Sequence, residues 1–124
     1  MDASALLAFI YDEPGAQVVA DHLDAEAMIS AVSWSEVAQK IGAKGGDPEQ
    51  LGEWVLALGL RVEPFERIGA YAAAALYAAT VRSGLSLGDR ACLTLAMLRG
   101  VPMLTADRAW SEIPDLGIAV TLIR

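Results

Sequence analysis

Residues 86–107, SLGDRACLTLAMLRGVPMLTAD, constrain the fold more than any other stretch of the chain. Ser86 with an acid three residues later has capping-box spacing and opens a helix. The apolar run around Cys92 to Leu98 continues it, Gly100 ends it, and Pro102 to Thr105 reads as a short buried strand closed by Asp107. A helix that feeds directly into a short apolar strand belongs to a sheet covered by helices, with mostly parallel strands.

The rest of the chain repeats that alternation. Residues 2–11 start on an acid and carry a helical apolar pattern, which Asp12-Glu13-Pro14-Gly15 interrupts; Pro14 suits the first turn of a short helix from Ala16 to Leu23. Ala27 to Ser30 reads as a strand. Ser33-Trp34-Ser35-Glu36 repeats the capping-box spacing and predicts a helix from there to about Ala43. Lys44-Gly45-Gly46 stops it, and Asp47-Pro48-Glu49 starts another through Leu58. Leu60 to Val62 is a candidate strand. A long helix is expected over Glu66 to Arg82, with Ile68, Ala72, Ala75, Leu76 and Ala79 on its packed face. A short helix over Asp107 to Glu112 and an alternating, edge-like strand over Ile118 to Ile123 complete the pattern. The expected fold is α/β: one domain spanning residues 1–124, a three-layer sandwich with a short, mostly parallel central sheet flanked by helices.

Composition removes several function classes. The chain is 55% hydrophobic, yet no apolar run reaches the length of about 18 residues that a membrane span needs. An acid at position 2 replaces the basic start of a secretion signal, so a cytoplasmic protein is expected. The one cysteine, Cys92, permits no internal disulfide and no cysteine-based zinc site, and its apolar helix makes it an inert buried thiol. The one histidine, His22, lies on a short amphipathic helix with no nucleophile partner. A net charge of −7 argues against a broad basic nucleic-acid surface. It leaves room for a nucleic-acid enzyme whose acids are masked by divalent cations.

Four acids remain: Asp2, Glu36, Asp89 and Asp107. Each has a structural reading, because each stands where it can cap a helix. Their joint placement is harder to explain that way. Asp2, Glu36 and Asp107 each follow an expected strand and precede a helix, and Asp89 opens the helix that feeds the fourth strand. The carboxyl ends of parallel strands share one edge, where sites form. Four converging carboxylates repel one another, and a bound cation offsets that repulsion. An all-carboxylate set suits Mg²⁺ or Mn²⁺ rather than zinc or copper, and such sites serve phosphodiester hydrolysis with one or two metals. Ser4 and Thr105, two residues from Asp2 and Asp107, are placed to orient a carboxylate, or equally to cap. Arg90 and Arg108 follow Asp89 and Asp107 and either meet a phosphate backbone or balance surface charge. Lys40 and Lys44 continue the Glu36 face, where a helix-surface ion pair is the simple expectation. Trp34 and Trp54, with Phe65 and Tyr71, read as packing residues.

With these motifs in view, the chain resembles PIN-domain ribonucleases, and among them the VapC toxins of bacterial type II toxin–antitoxin modules. The resemblance rests on D-x-S-A-L-L-A from Asp2, S-x-x-E-V from Ser33, L-x-x-G-D-R-A-C-L-x-L-A from Leu85 and L-T-A-D-R-A-W from Leu104, and it extends over essentially the whole chain. It implies a PIN-like sandwich and a Mg²⁺- or Mn²⁺-dependent endoribonuclease acting on structured RNA such as transfer or ribosomal RNA. Asp2, Glu36, Asp89 and Asp107 match the acidic metal-binding site, with Ser4 and Thr105 in support. It also implies a homodimer neutralised by a VapB-type antitoxin whose C-terminal segment crosses the active-site groove. The chain departs from the pattern at its start. Relatives have several residues of strand before the first acid, and here only Met1 precedes it, so either the first strand is a stub or the chain's start lies several residues too late. Two other readings stay open: a PIN-like binding module without catalysis, and a housekeeping RNA-processing nuclease. A haloacid-dehalogenase-type phosphatase is excluded, since Ser4 stands where that chemistry needs a second aspartate.

Overall fold

The computed structural model describes residues 1–25, 27–113 and 115–124. Its elements run α1 (Ala3–Ile10), α2 (Ala16–Leu23), β1 (Met28–Ser30), α3 (Ala31–Ala43), α4 (Pro48–Ala57), β2 (Arg61–Glu63), α5 (Arg67–Ala75), α6 (Tyr77–Thr80), a 3₁₀ turn (Val81–Ser83), α7 (Leu87–Arg99), β3 (Met103–Thr105), a second 3₁₀ helix (Arg108–Glu112) and β4 (Val120–Leu122). The α/β class and the alternation of helices with short parallel strands are as expected.

The sheet is built from two parallel pairs. β1 lies beside β2, with Met28 opposite Arg61, and β3 beside β4, with Met103 opposite Val120. Met1 and Asp2 join the halves: the Met1 amino group donates to the Met28 carbonyl at 2.8 Å, and the Asp2 N–H donates to the Leu104 carbonyl at 3.0 Å. These two backbone hydrogen bonds hold the two pairs together, and no strand ladder forms at Met1 and Asp2 among the described residues.

Successive strand residues point to opposite faces, and the core divides accordingly. Leu104 faces a cluster with Leu6, Ala8, Val19, Ile29, Val37 and Val55, whereas Met103 faces Leu76, Leu85, Cys92, Leu93 and Trp110. Helices α1 to α4 supply the first side, and α7 with the α5–α6 segment the second. These are the three layers.

Two helices differ from expectation. α3 starts at Ala31 with Ser30 as its cap, the Ser30 hydroxyl accepting from the Val32 N–H at 3.2 Å. Ser33 and Glu36 thus lie inside the helix, and the expected capping box there does not form. β1 runs straight into α3, so the cap is the last strand residue. The long helix over 66–82 is broken at Leu76, whose carbonyl accepts from both the Thr80 N–H and, at 2.7 Å, the Thr80 hydroxyl. Such back-bonding bends helices. The packed face also differs: Gly69, Ala73, Leu76 and Thr80 are buried against the core, whereas Ile68 is 68% exposed. Gly69 and Ala73 are small enough to let α5 pack closely against α7, and that contact sets the buried face.

That phase makes a stability prediction. Ile68→Ala should change the unfolding free energy in urea by no more than about 0.5 kcal/mol, whereas Ala73→Leu should cost about 1–3 kcal/mol by overpacking the α5–α7 contact. The reverse ranking would mean that the originally expected face is the packed one.

Candidate active site

Asp2 is the most constrained of the four acids. It caps α1, its Oδ1 accepting from the Ala5 N–H at 2.8 Å and the Ser4 hydroxyl at 2.8 Å, while Oδ2 accepts from the Thr105 hydroxyl. Both hydroxyls are themselves held by the chain after β3: Ser4 Oγ accepts from the Ala106 N–H at 2.9 Å, and Thr105 Oγ1 from the Asp107 N–H at 3.0 Å. Two relays thus run from the Asp107 loop to one carboxylate. Asp2 is only 5% exposed. Burial pushes its pKa above the ordinary 3.8, outweighing the opposing pull of Thr105, Ala5, Ser4 and the amino terminus.

Asp89 and Asp107 are held by caps of their own. The Ser86 N–H donates to Asp89 Oδ2 at 2.7 Å and the Asp89 N–H to Ser86 Oγ at 3.1 Å, the complete capping box of α7. Gly100, at φ +63°, closes the other end of that helix in the left-handed region that suits glycine. Asp107 caps the second 3₁₀ helix, Oδ1 accepting from the Ala109 N–H at 2.9 Å. Glu36 caps nothing; its Oε1 is 3.0 Å from the Lys40 ammonium one turn on.

A cleft of about 200 Å³ brings these groups together, lined by Asp2, Ala3, Ser4, Ser33, Glu36, Lys40, Ser86, Gly88, Asp89 and Asp107. All four acids and Ser4 share it, and Thr105 lies buried, bonded to Asp2. The two arginines do not line it. Arg90 donates to the Leu85 carbonyl at 3.0 Å, and its guanidinium lies 5.3 Å from the centre of the Tyr77 ring, so its charge serves the turn before α7. Long helical side chains lean toward the N-terminus, which is where that carbonyl stands. Arg108 is exposed outside the cleft.

Lys40, Ser33, Ser86 and Gly88 were not among the expected site residues. Lys40 was legible as the i+4 partner of Glu36; Gly88 was marked only by lying between Ser86 and Asp89. It has a spatial role, since a Cβ there would stand 3.4 Å from Glu36 Oε2. Cys92 is buried, its thiol pushed up to about 12 by burial, and is no nucleophile at neutral pH. His22 Nδ1 lies 2.8 Å from the Val18 carbonyl of its own helix.

The cleft acids offer hard oxygen donors with no sulfur or imidazole among them, the set that Mg²⁺ and Mn²⁺ prefer. Among the described residues no three His, Cys, Asp or Glu side chains converge closely enough to hold a metal in the present arrangement. The donor chemistry of the cleft fits such a cation.

Two outcomes follow for Asp2. Its folded pKa is raised, so the folded chain holds the proton more tightly than the unfolded chain. The associated stability is present below 3.8 and is lost as pH rises through the folded value. In chelator, the unfolding free energy of the wild type relative to Asp2→Asn should therefore fall as pH is raised above 3.8; a difference that grows with pH would contradict the burial argument. Thr105→Val strips one donor from Asp2 and the acceptor from the Asp107 N–H, and should cost about 1–3 kcal/mol in the same assay.

No curated protein matches the chain. A family model for the PIN domain matches residues 1–116. The match takes in all four acids, the hydroxyl relays to Asp2 and strands β1, β2 and β3, and ends before β4. The chain belongs to the PIN-domain family.

Proposed function

We propose that this PIN domain, a nuclease-type fold, is a metal-dependent endoribonuclease and the toxin of a type II toxin–antitoxin pair of the VapBC kind. One observation carries the nuclease reading: Asp2, Glu36, Asp89 and Asp107, drawn from four separate parts of the chain, line one cleft. Those four carboxylates would hold Mg²⁺ or Mn²⁺, which when bound supplies charge stabilisation for in-line attack of water on a phosphodiester. Ser4 and Thr105 orient the Asp2 carboxylate, and the caps of α7 and the second 3₁₀ helix orient Asp89 and Asp107. Arg108, exposed one residue beyond Asp107, is placed for a neighbouring phosphate. The toxin role rests on the motif resemblance: transfer or ribosomal RNA as substrate, arrest of translation, a homodimer, and a VapB-type antitoxin that offers a basic side chain to a chain of charge −7. No helix among the described residues is long and apolar enough to cross a membrane.

A second reading, a PIN module that binds a partner without cutting RNA, draws on the absence, among the described residues, of any three acids that converge in the present arrangement. Cleavage assays separate the two. Wild-type protein should cut RNA with Mg²⁺ or Mn²⁺ and stop with chelator. Asp89→Asn should lose more than about 100-fold, exceeding the 10–100-fold typical of residues that only support a metal ligand. Equal cleavage by both proteins, or activity that survives chelator, would remove the site assignment. Pure metal-loaded protein that cuts no RNA would favour the binding module.

A further inference from the structure

The acidic cleft contains one cationic side chain. Among the nine Lys and Arg residues of the chain, Lys40 alone lines it. Other cations are engaged elsewhere: Lys44 lies 3.8 Å from the centre of the Tyr11 ring, Arg99 pairs with Glu63, and Arg124 pairs with Glu13 at 2.7 Å. Lys40 and Glu36 are both about half exposed. An exposed i,i+4 pair of this kind shifts a helix equilibrium by only about twofold, which a stronger cation readily overcomes. Glu36 is also the one acid of the four that caps no helix. Its Oε1 meets Lys40, and its Oε2 lies beside Gly88 in the first turn of α7, one residue from Asp89.

We propose that Lys40 is an exchangeable counter-ion: it holds Glu36 while no divalent cation is bound, is displaced when Glu36 takes the cation, and then binds a phosphate of the RNA strand. This rests on the nuclease reading above and adds a substrate-binding side chain to it. The exchange keeps the cleft partly neutralised when empty and supplies a cation to the polyanion once metal has arrived.

The consequence is a pair of effects with opposite signs. Without its competitor, Lys40→Gln should bind Mn²⁺ about two- to fivefold more tightly, the range set by an exposed ion pair. The same variant should bind RNA more weakly, with the slope of log affinity against log salt reduced by about 0.7, the value for one phosphate contact on a single strand. Calorimetric titration with Mn²⁺ alone reads the first effect. Fluorescence anisotropy of a labelled, cleavage-resistant phosphorothioate RNA reads the second, and the loss should appear in Mn²⁺ and largely vanish in chelator, where Lys40 is on Glu36. Lys40→Arg should restore both properties toward wild type, and Lys44→Gln should leave the Mn²⁺ affinity unchanged. Unchanged or weaker Mn²⁺ binding by Lys40→Gln, or an RNA loss equal with and without metal, would overturn the exchange while leaving the nuclease reading intact. A wild-type protein that binds no Mn²⁺ would overturn both.

Discussion

The arrangement of the site depends on one buried carboxylate. Asp2 sits where the two halves of the sheet meet, and its oxygens take hydrogen bonds from the first turn of α1 and from Thr105 at the end of β3. A buried carboxylate is tolerated only with such donors, because the cost of leaving it unpartnered exceeds the worth of any single bond. Ser4 and Thr105 are in turn fixed by the Ala106 and Asp107 N–H groups. The need to satisfy Asp2 thus dictates the path of the chain into Asp107, more than a hundred residues later in sequence. This side-chain web, with the backbone bonds of Met1 and Asp2, ties the β1–β2 pair to the β3–β4 pair.

Capping and ligation are compatible in this cleft. In the described hydrogen bonds Asp89 uses Oδ2 and Asp107 uses Oδ1. A helix N-terminus grips one oxygen of each carboxylate and fixes its direction. The second oxygen is thereby aimed rather than occupied. The two readings of these acids, structural cap and metal ligand, are therefore not exclusive, since the cap takes one oxygen of each group.

This also accounts for what could be read from the sequence. Element order, the caps at Asp2, Ser86 and Asp107, the buried Cys92 and the common cleft for four acids follow from local spacing and strand–helix alternation. What could not be read depends on phase and reach. S-x-x-E occurs both at a helix start and inside a helix, and only the pairing of Ser30 with Glu63 across β1 and β2 places the start of α3 at Ala31. In α5 the sequence puts Ile68 on the packed face, whereas the contact with α7 buries Gly69 and Ala73, the residues that allow the closest approach. Arg90 has a long side chain with two acceptable targets, and in the fold it takes the Leu85 carbonyl.

Glu36 stands apart from the other three acids for the same physical reason. Asp2, Asp89 and Asp107 are held by backbone N–H groups, whose positions follow from the fold. Glu36 is held by a flexible ammonium on its own helix, with both groups open to solvent. Three acids are thus fixed by the fold, and the fourth can change partner by a side-chain rotation alone, without moving any strand or helix. Glu36 is the acid whose present partner is weakly held, because an exposed ion pair within one helix contributes little.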